Sequence, residues 1–372
     1  MKKIRIIADN KIPFLQGSPL KDAAEMIFLP GAAITKKELM NADAVITRTR
    51  TKCNEETLEG TPVKAIATAT IGYDHIDTGY CEKHGILWKN APGCNAPSVA
   101  QYITSLLLRL SLRHDFSLEG KKLGVIGAGN VGKRVIAKAK ALGMEVLVND
   151  PPRAEAEGPA GFCSLETITR EADIITLHVP LEKSGPHPTY HLADESLMKS
   201  MKSSAFLINS SRGSVADNEA LKKMLKEKRI AGAALDVWEK EPEIDPELMA
   251  LLDFATPHIA GYSTDGKANG TAASVHFIAD FFGFSGMGDW YPDVPQPANR
   301  EISVSTLAEA VFASYDIASD DMRLRNSPQT FEKQRGDYPL RREFPAYFIK
   351  NAEELAPELK KTLSALGFRL AE

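Results

Sequence analysis

The sequence has few of the features that mark secreted, membrane or nucleic-acid-binding proteins. Its 372 residues include only four cysteines, Cys53, Cys81, Cys94 and Cys163, and none forms a CxxC pair or a zinc-ligand spacing. No apolar run approaches the roughly 18 residues that a membrane-spanning helix needs. The net charge of −4 argues against a dedicated nucleic-acid binder. These absences favour a cytoplasmic globular protein with free thiols and no metal site, membrane contact or nucleic-acid partner.

What the chain does contain is a regular alternation of short apolar segments and helical patterns. Residues 3–8, 43–47 and 63–68 are rich in β-branched residues and are predicted strands of one parallel sheet. Helices are predicted over 97–112 and over 263–284, and the second would return the chain to the first domain. Between them, a second series of strands is predicted at 122–127, 145–150, 173–180, 205–211, 233–239 and 254–260.

This alternation predicts an α/β fold with two Rossmann-like, doubly wound parallel sheets. A discontinuous substrate domain would contain residues 1–96 and 259–286, and a nucleotide-binding domain would contain residues 97–258. Residues 285–300 are rich in Gly and Pro, which is typical of a linker. Residues 287–372 are then expected to form a small α+β C-terminal domain with a role in assembly or regulation.

The sequence GAGNVG at 127–132 lies between an apolar strand and a helical pattern, the context in which GxGxxG binds a dinucleotide. Gly127 would permit the tight turn, Gly129 would let the backbone approach a pyrophosphate, and Gly132 would let helix and strand pack closely. Asn130 and Val131 fall at the helix N-terminus, where free N–H groups favour phosphate.

Asp150 ends the next predicted strand, about 20 residues beyond the loop, where a carboxylate binds the ribose hydroxyls of NAD and repels the phosphate of NADP. The pattern therefore favours NAD as the cofactor. The alternative is that Asp150 caps a helix or turn that starts at Pro151.

Three polar residues downstream follow apolar runs: Arg212, Glu241 and His258. Reduction of a carbonyl needs a cation near its oxygen and a proton donor, which arginine and histidine supply, and a carboxylate can orient the histidine. Taken singly, the arginine and the glutamate are equally compatible with surface residues, and the histidine with a core residue. Their joint occurrence at strand ends after a cofactor loop favours catalysis.

Together with the glycine loop, the segments SSRGS (210–214), LDVWEKEP (235–242) and TPHIAGYS (256–263) resemble the D-isomer-specific 2-hydroxyacid dehydrogenases over roughly residues 1–290. The resemblance implies that Arg212 binds the substrate carboxylate and polarises the C2 oxygen. It also implies that His258 exchanges the C2 hydroxyl proton and that Glu241 orients His258. Further residues implied to contact the cofactor are Val179, Asp236 and Gly261.

The segments ATATIGYDHID (67–77) and APGCNAPSVAQY (91–102), with the extra C-terminal module, resemble one branch of that family. This resemblance implies NAD-dependent oxidation of 4-phospho-D-erythronate to 2-oxo-3-hydroxy-4-phosphobutanoate, in pyridoxal 5′-phosphate biosynthesis. It also implies a homodimer that forms through the C-terminal module.

The implied substrate contacts are Thr49, Thr70 and Tyr262. Thr49 lies in the loop TRTRTK (47–52), whose cations suit a substrate phosphate, and Arg48 is the preferred phosphate ligand. An ordinary solvated loop is the alternative for these cations. Arg341 and Arg342, in the C-terminal module, are candidates to reach a partner subunit's site.

Two other functions remain open on the sequence alone. One is a different dehydrogenase of the same family, acting on 3-phosphoglycerate or glycerate, because one hydroxymethylene separates the phosphorylated substrates. The other is a non-catalytic NAD-sensing protein, similar to the corepressors that share this fold. Reduction of a 2-oxo acid with NADH would separate the enzyme from the sensor.

Overall fold

The computed structural model describes residues 3–371, and they fall into two compact units. The first unit contains the chain up to Asn95 together with Ser263–Pro295. The second unit contains Ala96–Tyr262 together with the chain from Gln296 onward. The residues expected to form a separate C-terminal domain therefore belong, from Gln296, to the same compact unit as Ala96–Tyr262. Among the helices of the described residues, none is long and apolar enough to span a membrane.

The first unit is built on a parallel five-stranded sheet. Its elements up to Asn95 are β1 (Arg5–Asp9), α1 (Leu20–Ala23), β2 (Glu25–Leu29), α2 (Lys36–Leu39), β3 (Ala44–Thr47), α3 (Glu55–Leu58), β4 (Ala65–Thr68), α4 (Thr78–Lys83) and β5 (Leu87–Lys89). The strand order is β2-β1-β3-β4-β5. Neighbouring residues of β1 enter different hydrophobic clusters, Ile6 one and Ile7 the other, so both faces of this sheet are covered.

The second unit begins with a long helix and continues as a parallel six-stranded sheet. In chain order its elements up to Tyr262 are α5 (Ala96–Arg113), β6 (Lys122–Ile126), α6 (Asn130–Ala141), β7 (Glu145–Asn149), α7 (Pro151–Glu157), α8 (Leu165–Glu171), β8 (Ile174–Leu177), α9 (Glu195–Ser200), β9 (Phe206–Asn209), α10 (Asn218–Lys226), β10 (Gly232–Leu235), α11 (Pro246–Leu251) and β11 (Phe254–Ala255). The strand order is β11-β10-β9-β8-β6-β7.

The rest of the chain adds one helix to the first unit and a small α+β segment to the second. These elements are α12 (Thr264–Phe282), β12 (Glu301–Ile302), α13 (Leu307–Ser314), α14 (Ile317–Asn326), α15 (Phe331–Gly336), β13 (Phe348–Ile349), α16 (Pro357–Leu366) and β14 (Arg369–Leu370). The C-terminal segment shares one hydrophobic cluster with α5 and α6, to which Val311, Ile317 and Leu363 contribute. Its apolar side chains are thus buried against α5 and α6, and within residues 3–371 they form no hydrophobic cluster of their own.

The three sheets confirm the predicted fold class. In each large sheet the strand order reverses once, between β1 and β3 in the first unit and between β6 and β8 in the second. Loops at the carboxyl ends of the two strands that flank such a reversal enclose a crevice, which is where open α/β sheets bind ligands. The topology therefore marks one expected ligand position in each unit.

Candidate active site

The glycine loop leaves β6 at the reversal point of the second sheet, and its glycines meet three different constraints. Gly127 has a φ of 90°, and a Cβ there would stand 2.5 Å from the carbonyl oxygen of His178. A Cβ on Gly132 would stand 2.0 Å from the carbonyl oxygen of Gly127. Gly129 caps α6, and a Cβ there would have no protein atom within 4 Å. Two glycines therefore fold the loop, while the third keeps its outer side open to a ligand.

The residues around this loop include those predicted to contact a dinucleotide. Asn130 and Val131 begin α6, so their backbone N–H groups belong to the unpaired set at a helix N-terminus. Val179 follows β8, and its side chain would lie 2.8 Å from a Cβ on Gly127. The structure thus brings together the predicted residues of the loops after β6 and β8.

Asp150 makes two local hydrogen bonds at the end of β7. One carboxylate oxygen accepts from the Ala128 N–H at 2.7 Å, and the other accepts from the Arg153 N–H at 3.2 Å, which caps α7. The helix cap considered as an alternative is therefore present. Each carboxylate oxygen can accept more than one hydrogen bond, so these contacts leave capacity for a ribose hydroxyl.

A cavity of about 310 Å³ lies beside Asp150. Its lining includes Pro151 and Ala154 of α7 and the ring of Phe162. Its lining is mostly apolar and it is partly open to solvent, so the carboxylate of Asp150 borders an apolar hollow.

The three proposed catalytic residues all follow strands of the second sheet. Arg212 comes three residues after β9, Glu241 lies in the loop after β10, and His258 comes three residues after β11. Gly213 brings two of these loops together, because a Cβ there would stand 2.0 Å from the Trp238 carbonyl oxygen. The Arg212 backbone is held by Asn209, whose side-chain amide donates to the Arg212 carbonyl at 2.8 Å.

His258 and Glu241 form a hydrogen-bonded pair. Nδ1 of His258 lies 2.8 Å from one carboxylate oxygen of Glu241, and the other oxygen accepts from the Trp238 N–H at 2.9 Å. Burial alone raises the pKa of Glu241, but the hydrogen bond and charge of His258, the Trp238 N–H and the charge of Arg335 outweigh burial and lower it. Glu241 is therefore ionised near neutral pH, and its hydrogen bond with Nδ1 orients the imidazole.

Asp236 organises the backbone that carries His258. Its carboxylate is 2% exposed and accepts from the Ile259 N–H at 2.7 Å, the Ala260 N–H at 2.9 Å and the Thr256 hydroxyl at 2.7 Å. His258 itself has a φ of 57°, a left-handed conformation that is rare outside glycine. The observed contacts of Asp236 hold this conformation in place, whereas its expected contact with NAD stays a prediction.

The turn after His258 places Gly261 and Tyr262 next to the C-terminal segment of the same chain. The ring of Tyr262 meets that of Tyr338 edge to face, with centroids 5.9 Å apart. Arg341 is 4% exposed and donates to the carbonyl oxygens of Ser98 at 2.7 Å and of Ala260 at 3.3 Å. The expectation that Arg341 reaches a partner subunit is therefore wrong, because its own chain buries and saturates it.

In the first unit, the predicted substrate residues follow two adjacent strands. Arg48 and Thr49 come directly after β3, and Thr70 lies two residues after β4. The Nε of Arg48 lies 3.4 Å from the buried carboxylate of Asp9, the last residue of β1, so this ion pair spans the reversal between β1 and β3. The Thr70 hydroxyl donates to the Gly72 carbonyl at 2.9 Å.

Lys267 is a cation of this region that the sequence did not single out. It lies in the first turns of α12, and a Cβ on Gly270, one turn later, would stand 2.4 Å from the Ala69 carbonyl oxygen. Burial and the nearby charge of Arg48 lower the pKa of Lys267 to about 8. Only the fold brings residue 267 to the loop after β3, so no local pattern could have identified it.

His191, Asp217 and Glu239 form a cluster that sequence spacing did not predict. The imidazole lies 2.7 Å from a Glu239 oxygen and 3.7 Å from an Asp217 oxygen. The carboxylates also accept from backbone N–H groups, Asp217 from Ala220 at 2.9 Å and Glu239 from Asn218 at 3.0 Å. These contacts describe a histidine held between two carboxylates and do not require an ion.

Comparisons with known proteins are consistent with this geometry. A family model described as the NAD-binding domain of D-isomer-specific 2-hydroxyacid dehydrogenases matches residues 109–260. A second model, described only as a domain of unknown function (DUF3410), matches residues 295–367. The first match contains the glycine loop and all three proposed catalytic residues.

Curated relatives match nearly the whole chain. The erythronate-4-phosphate dehydrogenase of Bacteroides thetaiotaomicron is 50% identical over 347 residues, which are 93% of this chain and 99% of that protein. The protein of the same name from Escherichia coli O157:H7 (strain EC4115) is 40% identical over 374 residues, 98% of each chain. Among solved structures, a D-lactate dehydrogenase from Aquifex aeolicus, complexed with NAD and lactic acid, is similar with a TM-score of 0.64. That match has 28% identity and covers 79% of this chain and all of that one.

Proposed function

Since the chain belongs to the D-isomer-specific 2-hydroxyacid dehydrogenase family, in the branch of the erythronate-4-phosphate dehydrogenases, we propose that it oxidises 4-phospho-D-erythronate. The product would be 2-oxo-3-hydroxy-4-phosphobutanoate, an intermediate on the way to pyridoxal 5′-phosphate. The observation that carries the proposal is the His258–Glu241 pair, at 2.8 Å, on the same sheet edge as an intact dinucleotide loop.

NAD fits the second unit because the loop leaves room where the pyrophosphate must approach. The space that a Cβ would occupy on Gly127 and on Gly132 is taken up by protein atoms. The same space on Gly129, at the N-terminus of α6, is open. Asp150 would favour NAD over NADP by its charge. NAD held there would supply the hydride acceptor, with Val179, Asp236 and Gly261 proposed as further contacts.

The chain's own residues would handle the proton and the negative charge. Nε2 of His258 would take the C2 hydroxyl proton during oxidation and return it during reduction, while Nδ1 stays hydrogen-bonded to Glu241. Arg212 would bind the substrate carboxylate and stabilise charge on the C2 oxygen. Tyr262 would contact the substrate beside them.

The substrate phosphate would bind in the first unit. Arg48 and Thr49 lie after β3, at the crevice position that the sheet reversal marks, and Thr70 lies after the neighbouring strand β4. The charge of Lys267 close to Arg48 supports this proposal, since two cations in a partly buried region favour an anion. The first unit would accordingly be the substrate domain, and Ala96–Tyr262 the NAD-binding domain.

We also propose that the protein is a cytoplasmic homodimer. Its four cysteines are free thiols, in keeping with a reducing compartment. Leu112, Met322 and Leu340, all in the unit that includes the C-terminal segment, are 49–60% exposed, and a dimer formed through that segment would cover part of this apolar surface. Sedimentation as a monomer at micromolar concentration would contradict the assembly.

The decisive experiment measures initial rates with 4-phospho-D-erythronate and with 3-phosphoglycerate in parallel. A 2-oxo acid is included to reoxidise any NADH that the protein retains. We expect a kcat/KM at least tenfold higher for the four-carbon substrate, as one hydroxymethylene is worth about 1–3 kcal/mol. A preference for 3-phosphoglycerate would move the protein to another branch of the family, and activity with neither would favour an NAD-sensing role.

A further inference from the structure

The C-terminal segment places a second buried cation beside the catalytic turn. Arg335 lies in α15, and its side chain is only 18% exposed. One terminal nitrogen pairs with the Glu332 carboxylate at 3.0 Å. The Nε atom is buried and has no hydrogen-bond partner among the described residues. A guanidinium held in this way has a structural cost, because burying an unpaired donor is unfavourable.

Arg335 contacts the aromatic ring that follows His258. Its guanidinium carbon lies 5.9 Å from the centroid of the Tyr262 ring and 5.9 Å from that of Phe331. Tyr262 is also held edge to face by Tyr338, whose hydroxyl donates to the buried Asp320 at 2.6 Å. Two side chains of the C-terminal segment therefore restrict the orientation of Tyr262.

The same guanidinium acts on the carboxylate that orients His258. Burial alone would lower the pKa of Arg335. Its interactions with Tyr262, Glu241 and Glu332 outweigh burial and raise that pKa. In turn, the charge of Arg335 is one of the causes that lower the pKa of Glu241. Charged and titratable groups that act on the Glu241–His258 pair include Arg335 and Asp236, and Glu332 and Tyr262 act in turn on Arg335.

We propose that Arg335 is a positioning residue of the catalytic site, contributed by the C-terminal segment of the same chain. It fixes the Tyr262 ring and stabilises the ionised form of Glu241 beneath His258. This inference rests on the proposed roles of Glu241 and His258. It gives the C-terminal segment a function in catalysis, in addition to any function in assembly.

The test compares Arg335→Gln, Arg335→Lys and the control Lys333→Gln by the pH dependence of kcat/KM for oxidation. Lys333 lies on the same helix but is 74% exposed. Oxidation needs His258 to accept a proton. Loss of the positive charge of Arg335 favours the protonated form of the Glu241–His258 pair, so the acid limb of the pH profile should move to higher pH. We expect Arg335→Gln to shift it by roughly 0.5–1 pH unit. Arg335→Lys should stay close to the parent, and Lys333→Gln should not move it.

A second variant keeps the test valid if Arg335→Gln misfolds, and a second readout keeps it valid if the proposed substrate is wrong. Glu332→Gln removes the negative partner of Arg335 at a half-exposed site, so it should shift the acid limb downward. The midpoint of the His258 imidazole titration, followed by NMR without substrate, should move in the same directions. If Arg335→Gln and Glu332→Gln leave both readouts unchanged, the inference is overturned. If the parent protein turns over neither phosphorylated acid, the proposed function fails, while the NMR titration still decides the role of Arg335.

Discussion

The two large sheets of this protein have the same local topology but present different chemistry at the equivalent position. In the first unit, charged side chains lie at the reversal between β1 and β3, where Arg48 pairs with Asp9. In the second unit, the crevice between β6 and β8 is lined by glycine backbone, and Gly127 meets the backbone of His178. Under the proposed function, side chains would recognise the ligand in one case, and main-chain N–H groups in the other.

This difference shows what topology decides and what it leaves to individual residues. A reversal of strand order places a crevice at the carboxyl edge of a sheet whatever the sequence. A crevice lined by glycine accepts a long, multiply charged backbone such as a pyrophosphate, since many N–H groups can point at it. A crevice lined by Arg48 and Lys267 suits a compact anion, since two point charges can converge on it.

The largest effect is expected from a substitution that removes the proposed proton-transfer group and leaves both crevices intact. His258→Ala should lower kcat by about 10²–10⁴-fold, the usual contribution of a general acid–base residue. NAD affinity, followed by fluorescence titration, should stay within about twofold of the parent, since the side chain faces Glu241 and not the glycine loop. Near-normal turnover of this variant would show that another group moves the proton.

Much of the second unit could be predicted from the sequence because its signals are local. GAGNVG is contiguous, and the strand before it and the helix after it identify the loop without knowledge of the fold. Arg212, Glu241 and His258 are far apart in the chain, yet each follows an apolar run, and parallel strands bring such positions to one edge. The sequence could not reveal that Asp236 holds the His258 turn through three hydrogen bonds, which depends on how the loops after β10 and β11 meet.

The first unit was harder to predict. The sequence indicated β1, β3 and β4 but not β2 or β5, and β5 lacks a buried pattern because Leu87 is 57% exposed. Lys267 lies more than 200 residues from Arg48 in the chain, and only the return of α12 brings them together. The packing of the C-terminal segment on α5 and α6 was likewise missed, since its apolar faces give no hint of which partner covers them.

The second prediction separates the folding role of the glycines from their binding role. Gly132→Ala should lower the melting temperature and NAD affinity together, because its Cβ would clash with the Gly127 carbonyl at 2.0 Å. Overpacking of this kind costs about 1–3 kcal/mol. Gly129→Ala has open space in the protein, so its melting temperature should be unchanged while NAD affinity falls at least tenfold. Equal NAD affinity in Gly129→Ala and the parent would place the pyrophosphate elsewhere.

The third prediction concerns the cationic crevice. Arg48→Met should raise KM for the phosphorylated substrate by roughly 10–100-fold, in line with the loss of about 1.5–3 kcal/mol from a hydrogen bond to a charged group. Arg48→Lys should raise KM less than Arg48→Met does, since lysine keeps the positive charge although it lacks the planar guanidinium. NAD affinity should not change in either variant, and the exposed Lys37→Met serves as the control. If Arg50→Met or Lys52→Met raises KM more than Arg48→Met does, the phosphate ligand has been misassigned within this loop.

The smallest expected effect is a pH dependence of substrate binding that originates in the first unit. The pKa of Lys267 is lowered to about 8 by burial and by Arg48, so this side chain loses its charge as the pH rises through that value. A bound phosphate favours the charged form, and KM should therefore rise a few-fold between about pH 8 and 9.5. Lys267→Arg should abolish this rise, because a guanidinium stays charged throughout the range, whereas Lys267→Met should abolish it and give a high KM at pH 7. If KM still rises with pH in Lys267→Arg, another group is responsible for the titration. Phosphate binding would then depend on Arg48 and not on Lys267.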